Sequence, residues 1–209
     1  MLCYFGFAPG YRIENLGEGC GRKLVDMAAL VSQENMVTPT LVSRTGRHLQ
    51  RYSKHGSRQV VGCIPYRFKS REKGSLVDET GEEVEVLVIS SQKGKGLLFP
   101  KGGWEMDESM NAAALRETVE EAGVRGTIER QLGKWSFKSK SQDAVYEGYM
   151  FPLLVDEQLE IWPEKNVRRR YWMNVREARE VCQHGWMKEA LDVLVSRLAS
   201  KEGGDLPSL

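Results

Sequence analysis

Between residues 108 and 121 the chain sets out Glu108, Arg116, Glu117, Glu120 and Glu121, residue types suited to handling a divalent cation and a phosphate. Glu117, Glu120 and Glu121 fall within little more than one helical turn, so a helix through them gathers three carboxylates. Their companions Ala112, Leu115, Val119 and Ala122 recur at three- and four-residue steps, which reads as the buried face, with the carboxylates turned away from the core. Glu117 and Glu121 are a like-charge i,i+4 pair, costing the helix roughly 0.2–0.5 kcal/mol if nothing offsets it. A solvated amphipathic face is the plain reading of such a run. The chemical reading is a hard-oxygen site for Mg2+ or Mn2+, ions that keep several waters and bridge to substrate phosphates. Arg116 lies one turn before Glu120, placed to hold or orient it.

The elements that must position this group are legible on either side. Asp107 or Ser109 caps the helix and Gly123 stops it. Before it come apolar, β-branched segments at residues 59–68 and 84–90 and a short strand at residues 97–99, with a polar hairpin loop at residues 70–83. Pro100 and the pair Gly102-Gly103 then break the strand into a turn. After the helix, strand patterns occupy residues 126–137, 145–155 and 170–173, and two helices at about residues 175–182 and 186–199 close the domain. Strands on both sides of an early helix predict an α/β (α+β) fold, a layered α/β/α domain with a mixed sheet.

The whole chain of 209 residues is sized for one domain with appended segments. We divide it into an N-terminal extension at residues 1–41, expected to be poorly ordered, a domain at residues 42–200 and a polar tail at residues 201–209. Thirty Lys+Arg against 29 Asp+Glu give no global preference for nucleic acid. Local placement says more, since residues 43–74 hold nine basic residues and one acid, Glu72. No apolar run is long enough to span a bilayer, and four cysteines without CxxC spacing argue against a disulfide framework or structural zinc. Residues 1–35 hold four acids and no apolar h-region, so neither a transit peptide nor a secretory signal is legible. An intracellular setting follows, cytoplasm or nucleus by default, with mitochondrion or another organelle left open.

The spacing Gly102-x5-Glu108-x7-Arg116-Glu117-Thr118-Val119-Glu120-Glu121-Ala122-Gly123-Val124 resembles the Nudix box, nine defined positions over 23 residues, with Thr118 where the family has an aliphatic residue. A threonine still packs there through its methyl group. Segments from Arg44-Thr-Gly-Arg47 through Pro100-Lys-Gly-Gly-Trp104 to Trp162-Pro163 and Arg170-Tyr-Trp172 are similar to the plant diphosphoinositol polyphosphate phosphohydrolase-like Nudix proteins. The resemblance implies a Nudix-type α/β/α sandwich and an Mg2+-dependent hydrolase, Mn2+ being the other candidate ion. It implies metal ligands at Glu117 and Glu121, and Glu120 as a further ligand or the general base. Arg116 would work with them, and Glu108 would be the outer partner that fixes Arg116. Gly102 and Gly103 would form the tight turn that lets phosphate approach backbone N–H groups.

The expected reaction is cleavage of a phosphoanhydride in a diphosphoinositol polyphosphate, a diadenosine polyphosphate, or both. The substrate-binding candidates are Arg47, Arg51, Arg58, Ser91, Lys93, Lys101, Gly102, Gly103 and Arg170, a basic bowl on both sides of the box. The competing readings are a general nucleoside diphosphate-X pyrophosphatase, an RNA-binding or decapping Nudix protein, and a binding module without turnover. The partner expected is a small-molecule polyphosphate substrate of a monomeric protein, with no membrane, and with nucleic acid disfavoured. The aromatics and Cys63 read mainly as core, and the three histidines as structural or surface groups.

Overall fold

A computed structural model describes residues 42–44, 46–69, 83–92, 96–138 and 144–202, all within the compact unit Pro39–Leu209. The extension at residues 1–41, the hairpin loop at residues 70–83 except its last residue, Lys93, and the tail beyond Glu202 lie outside the described residues. Among the described residues, eight strands and three helices follow in the order β1 (Arg58–Lys69), β2 (Glu83–Ser90), β3 (Leu97–Leu98), β4 (Lys101–Gly103), α1 (Met110–Ala122), β5 (Val124–Ile128), β6 (Gly133–Lys138), β7 (Val145–Gln158), β8 (Arg170–Asn174), α2 (Val175–Val181) and α3 (Gly185–Glu202). The expected α/β/α class with a mixed sheet is what the chain adopts.

The eight strands make one sheet with the path β3-β2-β1-β7-β5, to which β4 joins at β1, β6 at β7 and β8 at β2. Among the described strands, β1 and β7 run parallel, from Arg58↔Tyr146 to Tyr66↔Leu154, and the other strand pairs are antiparallel. Central strands buried on both faces need continuous apolar runs, and Val86, Leu87, Val88 and Ile89 are all fully buried. Helix α1 covers one face, where Sγ of Cys63 meets the carbonyl of Ala114. On the other face Trp186 of α3 lies against Gly148 and stacks on Phe137 of β6, centroids 4.7 Å apart.

Three local expectations change. The segment at residues 126–137 is two strands, β5 and β6, because each pairs with a different half of the 14-residue β7. The glycine pair is not a turn. Gly102 and Gly103 lie in β4, paired with Val61 and Val60, and neither has a positive φ. What glycine supplies there is room: a Cβ on Gly102 would fall 2.0 Å from a carboxylate oxygen of Glu117. The buried face of α1 is also rotated from the expected one. Ala113, Ala114, Thr118 and Ala122 are fully buried, Leu115 and Val119 are half-buried and Ala112 is exposed. Small residues let α1 approach the sheet closely, and Thr118 is accommodated because its hydroxyl donates to the carbonyl of Ala114 at 2.7 Å.

Candidate active site

Helix α1 is fixed at both ends. The Ser109 side chain accepts from the N–H of Ala112 at 3.1 Å, and Gly123, at φ 62°, ends the helix in the left-handed conformation that glycine adopts without strain. Arg170 closes the same end. It donates to the carbonyls of Ala122, Gly123 and Leu159 at 3.2, 3.1 and 2.8 Å, with its guanidinium 4.1 Å from the ring centroid of Trp162. The helix therefore delivers Arg116, Glu117, Glu120 and Glu121 to defined places.

The rotation of α1 buries the carboxylates instead of presenting them to solvent. Glu120 and Glu121 are 7% and 5% exposed, and each acidic group meets a guanidinium or an N–H. Arg116 grips Glu108 with two donors, Nε at 3.0 Å and Nη2 at 2.7 Å. Its Nη1 reaches Glu117 at 2.8 Å and Glu120 at 3.5 Å, and Nη2 also reaches the carbonyl of Gly103 at 3.0 Å. Glu121 accepts from the backbone N–H of Lys101 at 2.8 Å and from Arg168, 47 positions further along. Arg168 in turn holds Glu164 at 2.5 Å, and Glu164 is close enough to act electrostatically on Glu117.

Burial sets the protonation of this group. It pushes the Glu121 carboxyl up to about 7, opposed by Lys101 and Arg168 and assisted by the Glu117 charge. Burial and then the Glu117 charge push Glu120 up to about 7 against the pull of Arg116. Glu117 is also raised by burial, with Arg116 opposing. These carboxylates share one poorly solvated region and repel one another, the electrostatic situation that a divalent cation relieves. Their oxygens are the hard donors such an ion takes, so the residues fit a Mg2+ or Mn2+ site in chemistry. Among the described residues no three acidic, histidine or cysteine side chains form a ready-made metal cage, because the donors are turned onto arginines.

A cleft of about 430 Å³ opens beside Glu121, lined by Arg58, Lys101, Gly102, Lys138 and Arg168, with Ser91, Gln183 and His184 on its wall and Phe137 and Tyr146 beneath. Its lining thus carries four cationic side chains and one carboxylate, a charge balance that favours an anion. Glu120 and Arg116 line a second, more apolar hollow of about 660 Å³ with Leu115, Val119 and Ile161.

Among the sequence candidates, Arg58, Ser91, Lys101 and Gly102 line the basic cleft, Gly103 holds Arg116 through its carbonyl, and Glu108 pairs with Arg116. Three candidates lie elsewhere. Arg51 donates to the carbonyls of Glu105 and Met106 at 3.0 and 2.8 Å and sits over the Trp104 ring. Arg170 seals α1, and Arg47 is exposed in the turn before β1 and does not line the cleft. Glu164 and Lys138 are not singled out by the sequence, His184 reads there as a structural or surface group, and Arg168 belongs to the run Arg168-Arg169-Arg170 expected to help form the basic bowl. The available signal was the i,i+4 spacing of Glu164 and Arg168 after Trp162-Pro163.

Comparison with known proteins places this geometry. A family model described as NUDIX domain matches residues 58–194. The chain is 67% identical over 160 residues to Nudix hydrolase 17, mitochondrial, from Arabidopsis thaliana, covering 77% of this chain and 85% of that protein. It is 33% identical over 135 residues to the Homo sapiens diphosphoinositol polyphosphate phosphohydrolase NUDT4B, covering 63% of this chain and 66% of the human protein. Among solved structures, a C. elegans Ap4A hydrolase binary complex aligns with TM-score 0.52 and 19% identity, covering 68% of this chain and 98% of that one, a likeness of fold.

Proposed function

The chain belongs to the Nudix hydrolase family, whose members hydrolyse phosphoanhydride bonds and use divalent metal ions, and on that premise we propose that it cleaves diphosphoinositol polyphosphates, diadenosine polyphosphates or both with Mg2+ or Mn2+. The observation that carries this reading is the basic cleft, where Arg58, Lys101, Lys138 and Arg168 converge beside Glu121. A ligand with a dense row of phosphates satisfies that wall better than a nucleoside does. Phe137 is stacked on Trp186 and Tyr146 lies under Arg58, which supports a site selecting phosphates before bases. The names of NUDT4B and of the Ap4A hydrolase point to the same two ligand classes.

In this reading Glu117 and Glu121 would hold the divalent ion, which when bound would offset phosphate charge and favour attack by water. Glu120, held near Arg116 on the same helix, takes the proton from the attacking water. Arg116, fixed by Glu108, keeps Glu117 and Glu120 in register. Lys101, Arg58 and Lys138 orient the polyphosphate and offset charge that grows in the transition state. An organelle, specifically the mitochondrion, fits the names of Nudix hydrolases 17 and 18.

The test compares metal-dependent turnover of diphosphoinositol pentakisphosphate, diadenosine hexaphosphate and ADP-ribose under identical conditions. Preference for the first two is expected, and selective cleavage of ADP-ribose would overturn the substrate assignment. Glu121→Gln is expected to abolish turnover while leaving the circular dichroism spectrum unchanged.

A further inference from the structure

The family match spans residues 58–194, yet Arg44, which precedes it, touches both the box helix and the loop between β4 and α1. Its backbone N–H donates to Oε1 of Glu120 at 3.4 Å, and Nη1 of Arg116 donates to Oε2 of the same carboxylate at 3.5 Å. One donor on each oxygen fixes the plane of the carboxylate. With either donor missing the group is free to turn, because the last torsion of a glutamate is broad. The Arg44 N–H is itself placed by its own side chain, whose Nη1 donates to Glu105 at 2.5 Å and to Asp107 at 3.0 and 3.1 Å. Glu105 is a firm anchor. It is 6% exposed, its N–H donates to Glu108 at 3.2 Å and its carbonyl accepts from Arg51 at 3.0 Å. Arg44 is thus tied to the loop that also carries Glu108, the partner of Arg116, and it does not line the basic cleft.

We propose that Arg44 is a positioning residue for the hydrolysis: its guanidinium, tied to Glu105 and Asp107, holds its own backbone N–H against Glu120 and keeps that carboxylate aimed as the proton acceptor. This rests on the reading above in which Glu120 takes the proton from water. A residue ahead of the matched segment thereby sets the aim of one inside it. An exposed ion pair would be a weak tether, but Glu105 is nearly buried and its charge needs the guanidinium, so the anchor holds.

The experiment uses the full chain and whichever of the substrates compared above it turns over fastest, with steady-state kinetics beside thermal melting. Arg44→Ala is expected to lower kcat about tenfold, part of the roughly 10²–10⁴ that a positioned acid or base contributes, with KM unchanged. Arg44→Lys, which keeps the charge, is expected between that variant and the wild type. Removing the guanidinium also leaves the Glu105 carboxylate nearly buried and unpaired, so Arg44→Ala should melt lower. The double variant Arg44→Ala/Glu105→Gln removes that stranded charge, and its melting temperature is expected to recover toward wild type while kcat stays low. Recovery of kcat along with stability, a wild-type kcat in folded Arg44→Ala, or a rise in KM alone overturns the proposal. Should Arg44→Ala not fold, the double variant is judged by the same kcat and KM. Glu120→Gln separates the two readings: a wild-type kcat there, or a wild type that cleaves none of the substrates, refutes the underlying reaction instead, whereas a low kcat there beside a normal one in Arg44→Ala refutes the role of Arg44 alone.

Discussion

Adding one methyl group at Gly102 separates a purely geometric effect on the carboxylates from an effect on the fold. The Cβ of Gly102→Ala would fall 2.0 Å from Oε2 and 2.1 Å from Cδ of Glu117, so the carboxylate must retreat by about 1.4 Å to reach ordinary contact. Glu117 ends a flexible side chain, and Gly102 sits in a strand without positive φ, so alanine strains neither the backbone nor the core. The stability change is expected within about 1 kcal/mol, part of it favourable because alanine lowers the freedom of the unfolded chain. A misplacement of about 1 Å in a reacting group costs on the order of 10²-fold in rate. We therefore expect kcat to fall at least about 100-fold, with a higher metal requirement and a melting temperature within a few degrees of wild type. Steady-state kinetics across a Mg2+ titration, paired with calorimetry, measures both. Wild-type kcat in a folded variant would refute the placement of Glu117 in the reaction.

Two further outcomes follow from the same geometry. Glu120 and Glu121 have folded-state values of about 7, above their ordinary 4.5, so in chelator the native state binds more protons than the unfolded one between those values. Stability of the metal-free protein should accordingly rise as pH is lowered from 8 toward 5.5 in urea unfolding, and a monotonic fall over that window would contradict the burial argument. Ser109→Ala removes the acceptor for the N–H of Ala112 and should cost about 1 kcal/mol, or about 2–4 °C in melting temperature. Its kcat at 25 °C should stay near wild type, because the cap lies about two turns from Arg116.

The box helix and its caps were readable because periodicity, a serine and a glycine are local signals, and Ser109 and Gly123 take the roles their chemistry suggests. The direction of the acidic groups was not. It depends on Arg168, distant in sequence from Glu121, and on how far a helix with alanine on its inner face can roll toward the sheet. Basic residues were hardest to sort. Arg51 and Arg170 look like phosphate ligands in a string of letters, but their donors meet backbone carbonyls that only the folded chain brings within reach. Gly102 reads in the sequence as part of a tight turn, whereas it is a notch for a side chain, a distinction set by Glu117 in a different element. Strand β4 was missed because three residues carry no period.

The clamp of Arg170 and Trp162 on the far end of α1 has a mechanical consequence. Ser109 caps the first turn from within the helix, while the Arg170 guanidinium ties the last carbonyls, those of Ala122 and Gly123, to that of Leu159 and to strand β8, which opposes fraying of the last turn. On this footing, ligands of different bulk are expected to be accommodated by the side chains that line the cleft, Ser91 and His184 among them, more than by displacement of the rail that carries the acidic groups.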